Sequence, residues 1–250
     1  MDDTTLLRYS RQIMLPELDI AGQEKLLDAK VLVLGMGGLG CPVALYLSAT
    51  GIGELILADD DEVEISNLQR QIAHFQNSVG MNKAKSVGAT LTKLNPNQRT
   101  TLIEYRMNSS DLEQRLPSID LVIDCTDNLE SRYLVNEICW MHDKPLISGA
   151  AIRWEGHVSM FDGSVRDSPC YQCLYPEENN LNATNLNCSE NGVVSPLVGI
   201  IGTTQAMEAI KVITGIGETL LGKVAYYDAK QTEWKKFSLP KATNCPICST

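Results

Sequence analysis

The stretch VLVLGMGGLG, residues 31–40, determines the fold predicted for this chain. It begins as a short apolar run typical of a buried strand, and Gly35, Gly37 and Gly40 then follow in the spacing G-x-G-x-x-G. A helical pattern starts directly after the last glycine. Glycines at this spacing permit a tight turn and let backbone amides approach a phosphate at the positive N-terminus of a helix. The stretch therefore predicts a strand, a phosphate-binding turn and a helix.

The first half of the chain continues as alternating strands and helices. Asn95-Pro96 ends one of these helices, because proline cannot continue it. Repeated βα units predict an α/β, Rossmann-like fold, with a mostly parallel sheet and helices on both faces. The predicted strands are residues 30–34, 54–58, 100–105, 119–123 and 145–148, and the clearest predicted helices are residues 83–94 and 128–141.

The second half has a different pattern. A strand at residues 156–161 is followed by a long polar loop and by an apolar helix at 193–214, with Pro196 acceptable in its first turn. Two further strands, 223–228 and 233–239, precede a cysteine-bearing tail. We expect one domain over residues 1–250, with a nucleotide-binding half at about 28–150 and a second half at about 151–250 that ends in a small antiparallel lobe.

Composition limits the class of protein. The 250 residues are 44% hydrophobic and 21% charged, which is ordinary for a globular chain. A formal net charge of −10 argues against nucleic-acid binding, which depends on neutralising phosphates. The N-terminus lacks the apolar core of a signal peptide, and the longest apolar run is shorter than the roughly 18 residues of a membrane span. We therefore expect a soluble, cytoplasmic protein without a membrane or nucleic-acid partner.

Polar residues after the second strand suit a nucleotide. Asp59 ends that strand 19 residues beyond Gly40, where an acidic side chain can bind ribose hydroxyls. The glycine turn and Asp59 are equally compatible with NAD and with ATP. Arg70 and Lys83 add positive charge nearby, which suits a triphosphate better than the pyrophosphate of a dinucleotide. Taken singly, both are also compatible with solvated surface charges.

Two carboxylates flank the end of the strand in DLVIDCTDN. Asp124 and Asp127 lie at the carboxyl edge of the predicted sheet, where open α/β sheets bind ligands. A carboxylate there can hold Mg²⁺ beside a triphosphate, because Mg²⁺ takes few protein ligands and keeps its waters. The alternative for Asp127 is an N-cap of the following helix, and one residue can do both.

Eight cysteines in a reducing compartment are better explained by metal or redox sites than by disulfides. The spacing of two Cys-x-x-Cys pairs is that of a tetrahedral structural zinc site that ties the polar loop to the C-terminus. The alternative is two unrelated redox or unpaired motifs. Cys188 has polar neighbours and is expected to be exposed. The negative charge of nearby Glu190 would disfavour its thiolate form. The predicted zinc ligands are Cys170, Cys173, Cys245 and Cys248.

The motifs GMGGLG, ADDDEVEISNLQRQ, DCTDN and NCSENGVVSPLVG occur in this order, together with the cysteine pairs. In this combination the chain resembles, over essentially its whole length, the MoeB/ThiF family. That family consists of adenylyltransferases that activate ubiquitin-like sulfur-carrier proteins. The resemblance implies that a carrier's C-terminal Gly-Gly carboxylate attacks the α-phosphate of MgATP, which gives an acyl-adenylate and pyrophosphate.

The resemblance also implies roles for individual residues. Gly38 would lie against the nucleotide, Asp59 would bind ribose and Asp127 would act on Mg²⁺. Arg11 matches an arginine that the family inserts from the neighbouring subunit, which implies a homodimer. The four cysteines match zinc positions. The remaining matched positions at the nucleotide and its phosphates are Ser66, Asn67, Leu68, Gln69, Arg70, Lys83 and Asn128.

The family resemblance leaves two questions open. Some relatives use a cysteine at the position of Cys188 to hold the activated carrier covalently, and others do not. The carrier could be of the MoaD type, for molybdopterin, or of the ThiS type, for thiamin. SGAAIRWEG favours the former and CYQCLYP the latter, and on balance we favour MoaD. No sulfur-transfer extension follows the CPIC tail, so we expect a separate sulfur-donor protein.

Two alternatives from other classes are an NAD-dependent oxidoreductase and a zinc-organised binding module without catalysis. The basic residues and the lack of an evident proton relay argue against the oxidoreductase.

A tail carboxylate is already ionised at neutral pH, so the predicted reaction needs no general base. The three histidines, His74, His142 and His157, are accordingly interpreted as structural or surface residues.

Overall fold

The computed structural model describes residues 1–177 and 191–249. Within these residues eight strands form one sheet in the order β3-β2-β1-β4-β5-β6-β7-β8. The strands are β1 (Lys30–Leu34), β2 (Glu54–Ala58), β3 (Arg99–Ile103), β4 (Leu121–Asp124), β5 (Leu146–Ile152), β6 (Glu155–Phe161), β7 (Lys223–Asp228) and β8 (Glu233–Ser238).

Helices cover both faces of this sheet. Short 3₁₀ turns lie at Ile65–Asn67, Gln76–Ser78 and Leu116–Ser118. The described α-helices are α1 (Asp3–Ile13), α2 (Asp19–Asp28), α3 (Gly40–Thr50), α4 (Lys83–Leu94), α5 (Ser109–Arg115), α6 (Leu129–Met141), α7 (Tyr171–Leu174) and α8 (Ser195–Thr214).

The strand pairs from β3 through β5 are parallel, and those from β5 to β8 are antiparallel. This arrangement confirms the predicted fold class. The chain runs outward from β1 to β3 and then returns to place β4 on the other side of β1. The carboxyl ends of β1 and β4 therefore flank a topological switch point, where open α/β sheets form their ligand crevice.

Alternating side chains of the central strands enter two separate cores. Val31 and Val33 of β1 belong to a core that includes residues of α3, α4 and α8. Leu32 and Leu34 face the opposite core, which includes residues of α5 and α6. Because both faces of β1, β2 and β4 are buried, these strands are mostly apolar rather than alternating in polarity, whereas the edge strand β3 is partly exposed.

Helix α8 crosses the first of these cores. Its 20 residues are long and apolar enough, by composition alone, to span a membrane, and half of that stretch is buried inside the protein. It packs against α3, β5 and β6, and Gly202 lets it approach the carbonyl of Leu39 closely. This packing is that of a core helix.

Several element boundaries differ from those predicted. β5 extends to Ile152 and forms a hairpin with β6, with Arg153 at φ 53° in the turn. β3 begins at Arg99 and ends two residues earlier than predicted. The N-cap of α6 is Asn128, whose Oδ1 accepts from the amide of Ser131 at 2.9 Å, so the alternative role of Asp127 as the cap is wrong.

Candidate active site

The glycine turn after β1 is held in a conformation that other residues would strain. Gly35 has φ 89°, and a Cβ there would lie 2.8 Å from the carbonyl oxygen of Cys125, on the loop after β4. A Cβ on Gly40 would lie 1.8 Å from the carbonyl oxygen of Gly35. The turn thus brings bare backbone to the switch point and leads directly into α3, as an anion-binding turn requires.

A cavity of about 620 Å³ opens at this turn. Its wall continues from the glycine turn past the carboxyl ends of β2 and β4 to strands β5, β6 and β7. Among the predicted site residues, those that line the cavity are Gly38, Asp59, Arg70, Lys83, Asp127 and Asn128. Those that do not line it are Arg11, Ser66, Asn67, Leu68 and Gln69.

Asp59 supports the glycine turn from the end of β2. Its Oδ2 accepts from the amide of Met36 at 2.5 Å, and its Oδ1 accepts from the amide of Asp61 at 2.8 Å. Burial raises the pKa of this carboxyl, and the bond from Met36 opposes the rise. Since each carboxylate oxygen can accept more than one hydrogen bond, Asp59 keeps acceptor capacity for ribose hydroxyls.

The predicted SNLQR segment builds a turn at the edge of the cavity. The side-chain amide of buried Asn67 closes this turn. Its Oδ1 accepts from the backbone amide of Glu64 at 3.1 Å, and its Nδ2 donates to Ser66 Oγ at 3.4 Å. Arg70 reaches the cavity while its Nη1 donates to the carbonyl of Ser66 at 3.1 Å. Ser195, at the start of α8, donates to the carbonyl of Gln69.

Lys83 is a nearly buried cation at the cavity wall. Its side chain is 9% exposed, and Nζ forms an ion pair with Oδ2 of the exposed Asp61 at 2.8 Å. The backbone amide of Lys83 also donates to the carbonyl of Asp61 at 2.8 Å. The predicted cation is therefore present at the site, with a carboxylate as its partner.

Asp127 follows β4 and lines the cavity as an exposed carboxylate. In the described part of the chain its side chain has no hydrogen bond or ion pair, whereas Asp124 accepts from Thr126 and from Ser148 Oγ. Asn128 is occupied by its capping bond and by Arg106, whose Nη2 donates to Oδ1 at 3.1 Å. Asp124 is buried and does not line the cavity, so of the two aspartates predicted at this edge Asp127 is the one placed to take a cation.

Arg132 and Gln71 are among the polar residues of the cavity wall that sequence reasoning missed. Arg132 of α6 is 6% exposed and donates to the carbonyls of Thr126 and Gly149 at 2.5 and 2.9 Å. Gln71 lies beside Gly37. The position of Arg132 on the helix that follows a crevice-edge strand was an available signal, whereas nothing in the local sequence distinguished Gln71 from its neighbours.

The histidines occupy three different environments. His74 is buried between Ser86 Oγ and the carbonyl of Met36, at 2.8 and 2.9 Å, and burial lowers its pKa. His157 lines the cavity near Tyr175, and burial lowers its pKa to about 4. His142 follows α6 outside the cavity. His157 is therefore a neutral wall residue at neutral pH.

The four paired cysteines converge, although 75 residues separate the pairs. Their sulfur atoms all lie within 4.8 Å of one another, with Cys170 3.5 Å from Cys245 and Cys173 3.3 Å from Cys248. These distances exceed the roughly 2.05 Å of a disulfide and bracket the roughly 3.8 Å between sulfurs in a tetrahedral zinc–thiolate site. The cluster could hold a metal ion.

Two predicted residues fall outside this geometry. Arg11 lies exposed on α1, with Nη1 3.9 Å from Met14 Sδ, so it does not reach the cavity of its own chain. Cys188 lies outside the described residues.

Comparison with known proteins assigns this chain to a family. The model of the ThiF family matches residues 9–247. The chain is 41% identical to the sulfur carrier protein ThiS adenylyltransferase of Escherichia coli K12, with 99% of the chain and 97% of that protein covered. It is 42% identical to the molybdopterin-synthase adenylyltransferase of the same organism, covering 99% and 98%.

A solved structure shares the fold. The crystal structure of E. coli MccB with ATP superposes with a TM-score of 0.83 at 26% identity, covering 96% of this chain and 74% of that one. The matched relatives are adenylyltransferases, which favours this activity over the NAD-dependent alternative. The chain belongs to the ThiF family and is an adenylyltransferase.

Proposed function

We propose that this protein uses MgATP to adenylylate the C-terminal glycine of a ubiquitin-like sulfur-carrier protein in the cytoplasm. The observation that carries the proposal is the continuity of the cavity. One wall is the glycine turn with Gly37 and Gly38, and the opposite end reaches strands β5, β6 and β7. A nucleotide and a protein tail that enter from opposite ends would meet between the ends of β1 and β4.

The nucleotide end offers separate groups for ribose and phosphates. Amides of the glycine turn would face the α-phosphate, and the Asp59 carboxylate would accept from ribose hydroxyls. Arg70 and Lys83 line the same end and would neutralise phosphate charge. Lys83 would exchange its bond to Asp61 for one to a phosphate oxygen.

Asp127 is the residue we assign to Mg²⁺. It is an exposed carboxylate at the cavity wall, and in the part of the chain that the structure describes its oxygens are unengaged. This fits a hard cation that accepts one or two carboxylates and retains water. Bound Mg²⁺ would supply neutralisation of the charge that builds up on the leaving pyrophosphate.

The reaction needs positioning rather than proton transfer. A carboxylate oxygen of the tail attacks the α-phosphorus, and a new P–O bond forms. The bond from that phosphorus to the bridging oxygen breaks, and pyrophosphate leaves with the electron pair. No proton moves, because the nucleophile is already ionised. Orientation and charge neutralisation supply the rate enhancement, in keeping with the wall cations Arg70, Lys83 and Arg132.

The other end of the cavity suits an extended Gly-Gly tail. Ala150, Ala151 and Gly156 are small residues of its wall, and Tyr226 and Phe237 contribute an apolar rim. A glycine tail without bulky side chains could pass between these residues. We accordingly assign residues about 28–150 to the nucleotide and about 151–250 to the carrier.

We further propose that the cysteine cluster binds zinc. Four thiolates are a soft donor set, and the sulfur separations fit a closed tetrahedral site. Such a site leaves no position for substrate, so its role is structural. It would fasten the C-terminal tail to α7, whose Tyr171 and the adjacent Tyr175 line the cavity.

We propose a homodimer in which Arg11 completes the site of the second subunit. On its own chain α1 carries Arg11 away from the cavity and exposes Leu7, which is 77% accessible. Among carriers we favour the MoaD type over the ThiS type on the sequence of the β5–β6 hairpin. The identities of 42% and 41% to the two relatives do not separate these carriers.

Carrier-dependent exchange of labelled pyrophosphate into ATP tests this function. We expect exchange with a carrier that ends in Gly-Gly and none with the same carrier lacking its last glycine. MoaD-type and ThiS-type carriers assayed in parallel would identify the substrate by the larger kcat/KM. Absence of exchange with both carriers, from protein that binds ATP, would contradict the proposal.

A further inference from the structure

Gln71 is a buried polar side chain in the cavity wall that has no role in the reaction proposed above. It is 4% exposed, and its Oε1 is fully buried without a hydrogen-bond partner. In the described part of the chain the structure gives its side-chain amide no hydrogen bond at all. Amide groups inside proteins are normally paired, and Nε2 is the donor of this amide that lies beside Gly37 at the cavity without a partner in the described residues, so it points to an acceptor that arrives with the ligand.

The backbone of Gln71 is held rigidly against the glycine turn. Its amide donates to the carbonyl of Asn67 at 3.0 Å, and its carbonyl accepts from the amide of His74 at 3.1 Å. His74 is in turn bonded to the carbonyl of Met36 at 2.9 Å, inside the turn itself. The position of Gln71 is therefore set by the same residues that shape the phosphate-binding loop.

The side-chain amide is directed at the glycine turn. Nε2 lies 3.5 Å from the point where a Cβ on Gly37 would stand, and both residues line the cavity. Gly37 has no side chain, so the space above its backbone is open to a ligand. A group that lay against the amides of Gly37 and Gly38 would be within reach of Gln71 Nε2.

We propose that Gln71 is a phosphate-binding residue, whose Nε2 donates to a non-bridging phosphate oxygen of ATP above Gly37. As a neutral donor it orients the phosphate without adding charge, whereas Arg70 and Lys83 supply the charge. The inference rests on the proposed use of ATP at this cavity. It goes beyond that proposal by assigning a phosphate contact to Gln71, the last residue of the ADDDEVEISNLQRQ motif, for which the resemblance implied no role.

The test compares two buried glutamines that differ in their pairing. Gln71→Leu removes the amide and keeps most of the volume. The control is Gln23→Leu, because Gln23 is equally buried but its amide is paired with Gln12 and with the carbonyl of Thr50, away from the cavity. Direct ATP binding by calorimetry and urea unfolding without nucleotide are measured on both variants.

We expect the two variants to differ in opposite directions in ATP affinity and in urea midpoint. Gln71→Leu should weaken ATP binding about 10- to 100-fold, as for the loss of a hydrogen bond to a charged group, and should leave the urea midpoint unchanged or higher. Gln23→Leu should lower the urea midpoint and leave ATP affinity unchanged. Gln71→Glu should weaken binding further than Gln71→Leu, because a carboxylate repels phosphate.

The outcome separates this inference from the proposed function. Wild-type ATP affinity in Gln71→Leu, or a lowered urea midpoint together with unchanged affinity, would overturn the role of Gln71 and leave the adenylylation reaction standing. If the wild-type protein binds ATP but catalyses no carrier-dependent exchange, the proposed function fails, and the calorimetric comparison still decides the role of Gln71.

Discussion

Lys83 Nζ and Asp61 Oδ2 form an ion pair of 2.8 Å in which the lysine is nearly buried and the aspartate is 71% exposed. The pairing is asymmetric, because only the lysine depends on the partner to offset its lost hydration. An incoming phosphate would offer the same compensation. If ATP binds as proposed, Asp61 would compete with its phosphates for Lys83, and the ion pair gives the nearly buried ammonium a partner.

Asp61→Asn should tighten ATP binding and lower the stability of the protein measured without ATP. We expect the Kd for ATP to fall several-fold and the free energy of unfolding without ATP to fall by about 1 kcal/mol, a value limited by the exposure of Asp61. Asp60→Asn is the matched control, since Asp60 lines the cavity but is not the ion-pair partner of Lys83. Weaker ATP binding in Asp61→Asn alone would show instead that Asp61 holds Lys83 in its productive position.

Mixing two inactive variants tests whether Arg11 acts across a dimer. Arg11→Ala and Asp127→Ala homodimers should each be inactive. After subunit exchange at equal concentrations, about a quarter of all sites would combine intact Arg11 and Asp127 from different subunits. Pyrophosphate exchange should recover to about that fraction of wild type. No recovery, with dimer exchange shown by differently tagged chains, would refute the arrangement.

His157 should make the protein sensitive to acid. Its pKa in the folded state is about 4, below the usual value of 6.5, because burial disfavours the charged ring. As the pH falls the unfolded chain takes up this proton first, so stability is fully present above about pH 6.5 and is lost towards pH 4. At pH 5 the loss should be about 2 kcal/mol.

His157→Gln should remove that part of the acid sensitivity. Urea unfolding at pH 7.5 and pH 5 measures it, with His142→Gln as a control for a histidine outside the cavity. If wild type and His157→Gln lose equal stability between the two pH values, the folded pKa of His157 is not depressed.

Loss of the cysteine cluster should affect the carrier end of the site more than the nucleotide end. Cys170→Ser should reduce bound zinc from about one ion per chain to a small fraction and lower the melting temperature. Because Tyr171 and Tyr175 follow Cys170 and line the cavity, the KM for carrier should rise more than the Kd for ATP. Cys139→Ala, a buried thiol outside the cluster, should retain full zinc. Full zinc content in Cys170→Ser would contradict the assignment.

Elements with strong local signals could be predicted closely from the sequence. β1, β2 and α4 have the predicted bounds, because an apolar run followed by glycine or an acidic turn, and a helix stopped at Asn95-Pro96, are determined by nearby residues. β5 extends four residues further than predicted, through Gly149, Ala150 and Ala151. Those residues have weak strand propensity, and their pairing with β6 stabilises the strand.

Site residues could be predicted from the sequence only where the chemistry of the side chain and its place in a motif indicated a role. Gly38, Asp59, Lys83 and Asp127 were predicted from chemistry at strand ends and family motifs, and all four line the cavity. The unpaired amide of Gln71 could not be predicted, because it results from packing against the glycine turn. For the same reason the Lys83–Asp61 ion pair could not be read from the acidic run.

Mass spectrometry of a carrier incubated with this protein and MgATP tests the central claim most directly. The account predicts a carrier modified by AMP at its C-terminal glycine with wild-type protein, and none with Asp127→Ala or with a carrier that lacks the last glycine. An adduct of equal yield with Asp127→Ala would contradict the assigned site. ATP cleavage without any adduct on the MoaD-type or ThiS-type carrier would contradict the assigned reaction.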